Sequence, residues 1–79
     1  MTIRREIKEA QMLNDRINEL YNRRIFLRNC KDELLNLEKK FRAGDKTVAS
    51  RIRELFDIID KHNEWIARNL PIIKARLAS

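Results

Sequence analysis

Cations are the side chains whose types and spacing most plainly suit a ligand in this chain. From Asn22 to Lys31 it carries Arg23, Arg24, Arg28 and Lys31 with no acid, and from Ile66 onward Arg68, Lys74 and Arg76 with none. Guanidinium and ammonium groups fixed along a rigid helix suit phosphates, which they bind by charge without reading base sequence. At 100° per residue, Arg16 and Arg23 flank one side of the apolar seam, and Arg24, Arg28 and Lys31 flank the other. These five are the expected nucleic-acid contacts, with Lys61, Arg68, Lys74 and Arg76 assisting. The competing reading is that the arginine stems simply cover apolar surface.

Catalytic chemistry finds little footing, and no enzyme activity is expected. Ser50 and Ser79 have no base near them in sequence, and Cys30 falls on the apolar stripe. No Gly-rich phosphate loop or metal-binding cluster occurs, so neither a cofactor nor a metal is expected. His62 occupies a core position and reads as a structural polar residue that can fix register. Glu19 with Arg23, Asp57 with Lys61, and Glu64 with Arg68 are spaced as i,i+4 pairs on solvated helix faces. A long helix followed by two shorter ones resembles the layout of the all-helical chorismate mutases. Their clamp of an arginine and a lysine eleven residues onward is missing, because Leu34 and Leu35 stand eleven beyond Arg23 and Arg24.

The charge balance favours an anionic partner. Eighteen Lys and Arg against 12 Asp and Glu give +6 in 79 residues, enough chain for one domain whose modest core gains from oligomerisation. One cysteine excludes an intramolecular disulfide framework and suits a reducing compartment. With no apolar run of membrane-spanning length and no leader-like start, a soluble cytoplasmic protein without membrane contact is expected.

The elements that must carry these cations are helical. Residues 2 to 43 contain neither Gly nor Pro, while apolar residues recur three and four apart, which predicts one helix over about 2–42, roughly 60 Å long. Thr2 is its expected N-cap. Lys39, Lys40 and Arg42 suit the negative end of its dipole, Gly44 suits a left-handed C′ position, and Asp45 suits the next N-cap. A turn over 43–45 then folds a second helix, about 46–69, antiparallel onto the first. Leu13, Ile17, Leu20, Leu27, Cys30, Leu34, Leu37 and Phe41 form one seam, interrupted at Arg24. Val48, Ile52, Leu55, Ile59, His62 and Ile66 form the other, widened by Ala49, Phe56 and Leu70. Pro71 is expected to end or kink the second helix and open a short third helix over 71–78. The expected fold class is thus an all-α antiparallel hairpin plus a short C-terminal helix, in a single domain.

More apolar surface is present than one hairpin hides. Residues 1 to 20 should overhang the shorter second helix, and Ile3, Ile7, Ala10, Tyr21 and Ile25 make an extra stripe away from the seam. Phe26, Ile58 and Trp65 also fall off the seams. Such surplus predicts a homodimer, coiled-coil or four-helix-bundle-like, with these eight residues at its interface. The alternative is a protein–protein interaction module, an adaptor, chaperone or phage or viral regulator, that docks a partner's helix on the same residues.

No recognition-helix geometry or aromatic stacking platform is present, which leaves shape-based recognition of double-stranded RNA as the fitting nucleic-acid mode. The segment Pro71-Ile72-Ile73-Lys74-Ala75-Arg76-Leu77 resembles the third-helix start of the small RNA-silencing suppressors of nodaviruses. That resemblance implies an all-helical viral homodimer that binds double-stranded RNA along a helical face and shields it from Dicer. The contacting arginines named above come from the charge pattern instead.

Overall fold

The computed structural model describes residues 2–78, with Thr2 described by its backbone alone. Helix α1 runs unbroken over Thr2–Arg42, a single 3-10 turn follows at Lys46–Val48, and helix α2 spans Ala49–Ala78. The two helices lie side by side in a rod of 64 × 16 × 15 Å, its length set by the 41 residues of α1 at about 1.5 Å each.

Two backbone hydrogen bonds and one glycine make the reversal. The Asp45 amide donates to the Lys40 carbonyl and the Gly44 amide to the Phe41 carbonyl, each at 3.0 Å. That pairing is a Schellman motif, which satisfies carbonyls the helix end would leave bare. It requires a left-handed residue, and Gly44 stands at φ 107°. Asp45 then caps the 3-10 turn by accepting from the Thr47 amide at 3.0 Å. The Thr47 hydroxyl and amide together hold the Asp45 carboxyl below its ordinary pKa.

Leu27, Cys30, Leu55 and Ile59 form the core, with Leu34, Leu37, Ile58 and Ile66 packed against it. Leu55 is wholly buried, a transfer worth about 1.5–3 kcal/mol. Toward the open end Leu20 and Ile73 continue the contact. Across the hairpin, Arg51 grips Glu33 with two nearly parallel bonds, Nε to Oε2 at 2.7 Å and Nη2 to Oε1 at 3.0 Å, and reaches Glu54 at 2.9 Å. The guanidinium lowers the Glu33 pKa. Both partners are exposed, so the pair fixes register more than it stabilises.

The structure departs from the sequence expectations at several places. No separate third helix exists among the described residues: α2 continues through Pro71 to Ala78. Pro71 and Ala67 both lie on the exposed side of α2, so the ring and the carbonyl it deprives of a donor face water, while Ile73, 3% exposed, ties the following turn to α1. Packing thereby outweighs the proline's local penalty. Because α2 is longer than expected, Arg76 reaches a cleft lined by Glu6, Glu9, Ala10 and Leu13, and the overhang of α1 shrinks to its first few residues. Thr2 is already helical, and the residue preceding it lies outside those described. In the seams, Arg23 is half-buried and Arg24 exposed, the spacing 20–23–27 replacing 20–24–27, while Phe56 faces outward.

A proline in a helix interior costs about 3 kcal/mol against alanine. Pro71→Ala is therefore expected to raise the urea midpoint, by a stability gain of about 1–3 kcal/mol. A lowered midpoint would mean that the proline's backbone geometry is what seats Ile73.

Candidate nucleic-acid interface

The two long edges of the hairpin differ in how their charges are used. On one edge cations are bound to partners from the chain itself. Arg23 donates to Glu19 from Nε at 3.0 Å and from Nη2 at 2.7 Å, and from Nη1 to His62 Nδ1 at 3.0 Å. Its guanidinium carbon lies 4.5 Å from the Trp65 ring centroid, and the Phe26 ring centre stands 4.8 Å from that of His62. The Arg51 fork to Glu33 lies on the same edge of α1, seven and ten residues beyond Phe26 and Arg23.

The other edge carries a line of cations. Positions 24, 28, 31, 35, 38 and 42 follow a 4-3-4-3-4 spacing and so share one line of α1, about 27 Å long. Their side chains are Arg24, Arg28, Lys31, Leu35, Glu38 and Arg42. Arg24, Arg28 and Lys31 are exposed and border an open cleft of about 380 Å³ with Leu27 and Asp32. Farther along, Arg42 and Glu38 border a second cleft of about 400 Å³ with Phe41, Ala49, Ile52 and Arg53. Among the described residues, no carboxylate pairs with Arg24, Arg28, Lys31, Arg42 or Arg53.

The remaining expected contacts are scattered. Arg16 is half-buried beside Arg76, Glu9, Met12 and Leu13. Arg68 stands 3.7 Å from Glu64, and Lys61 and Lys74 are exposed on α2. The geometry thus gathers Arg24, Arg28 and Lys31 and sets Arg23 apart from them. Arg42 lies on the line and Arg53, from α2, borders the cleft beside it, although the charge runs did not point to either. The continued heptad spacing from Arg24 to Arg42 carried that signal for Arg42, whereas Arg53 needed the fold of the turn.

The expected interface residues also divide. Ile3, Ile7, Ala10, Tyr21, Ile25 and Phe26 are exposed, whereas Ile58 packs against the core and Trp65 is half-buried beneath Arg23. Among the described residues no cluster of three or more His, Cys, Asp or Glu side chains could hold a metal ion, and no helix is long and apolar enough to cross a membrane.

His62 links the ion-paired edge to pH. Its Nδ1 accepts from Arg23, so the proton sits on Nε2 and the ring is neutral. Burial, and then the Arg23 charge, lower its pKa. The unfolded chain, with a pKa of about 6.5, takes up a proton before the folded one does. The stability tied to His62 is therefore complete above about pH 6.5 and declines as pH falls toward the depressed folded value. Thermal midpoints measured from pH 7.5 to 5 should drop for the natural chain, with a shallower drop for His62→Gln, which keeps an acceptor for Arg23 but cannot titrate. Comparison with known proteins assigns no family, since no family model, no curated protein and no solved structure matches the chain.

Proposed function

We propose that the chain works as a homodimer that binds nucleic acid, double-stranded RNA first among them, through the line of exposed cations on α1. The observation that carries this reading is that Arg24, Arg28, Lys31 and Arg42 share one straight line without carboxylate partners among the described residues. Cations that a protein leaves unneutralised along a rigid edge suit a phosphate backbone, and a straight rod lacking base-reading groups suits recognition by shape. Arg16, Lys61, Arg68, Lys74 and Arg76 add to the field around that edge, and Arg23 acts in holding the hairpin. The likeness of residues 71–77 to the nodaviral silencing suppressors is one of sequence alone, since these residues continue α2 and open no third helix; a role in shielding RNA from Dicer rests on that likeness only.

The exposed stripe of Ile3, Ile7, Tyr21 and Ile25 favours a second reading, a helical interaction module that docks another protein. Salt separates the two. With three phosphate contacts from each of two protomers, affinity for an RNA duplex should fall roughly a thousandfold between 50 and 200 mM salt. In mobility shifts on duplex RNA, duplex DNA and single strands, charge reversal at Arg28 and Lys31 should weaken duplex RNA binding for every sequence and flatten its salt dependence. Absence of binding to all three nucleic acids leaves the interaction module, for which Ile25→Asp is the damaging change.

A further inference from the structure

The exposed stripe on α1 has a symmetry of its own. Positions 3, 7, 10, 14, 18, 21 and 25 fall within about 80° of one another, on the side of α1 away from α2. All seven residues, Ile3, Ile7, Ala10, Asn14, Asn18, Tyr21 and Ile25, are exposed, with Ile3 at 70% and Tyr21 at 66%. The spacings outward from Asn14 are equal in both directions, about one, two and three turns to each side. A two-fold axis through Asn14 therefore returns the stripe onto itself with the chain reversed.

We infer that this stripe is the seam of an antiparallel, two-fold-symmetric dimer centred on Asn14, its occupant being a second copy of this chain. The inference rests on the homodimer proposed above and assigns it a face and a direction. In that register Ile3 meets Ile25 of the second copy, Ile7 meets its Tyr21, and Ala10 meets its Asn18, so a small residue lies opposite a polar one near the axis. Asn14 meets Asn14, where each amide offers both a donor and an acceptor. A polar layer of this kind gives up stability and fixes register.

Charge favours the same direction. Beside the stripe, Glu6 and Arg24 lie at matching positions on one flank, both exposed. The reversed register sets Glu6 against Arg24 of the second copy, twice by symmetry. Parallel pairing sets Glu6 against the exposed Arg4 of the second copy at a similar offset, so the distinction comes from Arg28, which parallel pairing runs along Arg28 beyond the stripe as a like-charge contact. Antiparallel pairing instead carries Arg28 and Lys31 clear of the seam at both ends, open to phosphate.

Cross-linking tests the direction. A chain bearing Ile7→Cys is mixed with one bearing Tyr21→Cys under mild oxidation, the natural chain with its buried Cys30 serving as blank. The expected product is the mixed disulfide, and sedimentation of Ile7→Asp should show self-association at least about a hundredfold weaker with helicity retained. Glu6→Arg should also weaken association, and Arg24→Glu added on the same chain should restore it. A dimer that yields only the Ile7→Cys homodisulfide, or that ignores Ile7→Asp, overturns the antiparallel seam while leaving a dimer in place. A natural chain that sediments as a monomer removes the seam and the homodimer together. Duplex RNA binding is scored separately in mobility shifts, so its loss rejects the phosphate reading without touching the seam.

Discussion

Two helices laid side by side can hide only one stripe of each, and this constraint governs the molecule. The buried hydrophobic side chains, Leu20, Leu27, Cys30, Leu55, Ile59 and Ile73, form a single file along the rod. With so thin a core, the hairpin depends on devices outside it. The Schellman turn at Gly44 sets where the chain reverses, and the Arg51 fork to Glu33 fixes the register next to it. The Arg23–His62–Trp65 cluster and Ile73 then hold the half distant from the turn. None of these is large alone, but each removes a sliding motion that a row of aliphatic contacts would tolerate.

The same narrowness sorts the charges. Glu19 and Glu33 lie on the edge of α1 where Arg23 and Arg51 meet them, so these two arginines are paired within the chain. On the opposite edge Arg24, Arg28, Lys31 and Arg42 follow the heptad line in the company of Glu38 and Asp32, with which they make no ion pairs. The net charge of +6 is therefore expressed unevenly, and the hairpin acquires one edge whose line of cations has no carboxylate partner among the described residues. An overall count of basic residues carries no such information; their position relative to the acids does.

Much of the architecture was legible in the sequence because it depends on local chemistry. The absence of Gly and Pro up to Ala43, the cations of the last turn and Gly44 at a left-handed position are all short-range signals, and the helix, its end and the reversal follow from them. The failures share a different cause. Pro71 is a helix stop by local rules, yet the burial of Ile73 two residues on overrides it. Arg23 and Arg24 are neighbours with identical side chains, and only the facing His62 and Trp65 decide which one turns inward. Trp65 and Ile58 read as surplus apolar groups until their cross-helix neighbours are known. For the candidate site, the Arg24–Arg28–Lys31 group was visible as a run without acids, whereas the inward packing of Arg23 and the approach of Arg53 to Arg42 required the fold.

The proposed dimer and the basic edge belong to one geometry. Arg28 lies 14 residues beyond Asn14, about 21 Å along α1. A two-fold axis at Asn14 therefore places the Arg28 groups of the two copies about 42 Å apart along a common axis, with no seam residue between either group and solvent. Separation of this size lets two clusters engage one duplex at once, and the second contact then gains from the effective concentration created by the first. On that proposal, modest affinity at each cluster suffices for firm binding to a long helix and for weak binding to a short one. Length discrimination of that kind needs no base-reading residue. In the proposed dimer it arises from the position of the two-fold axis at Asn14.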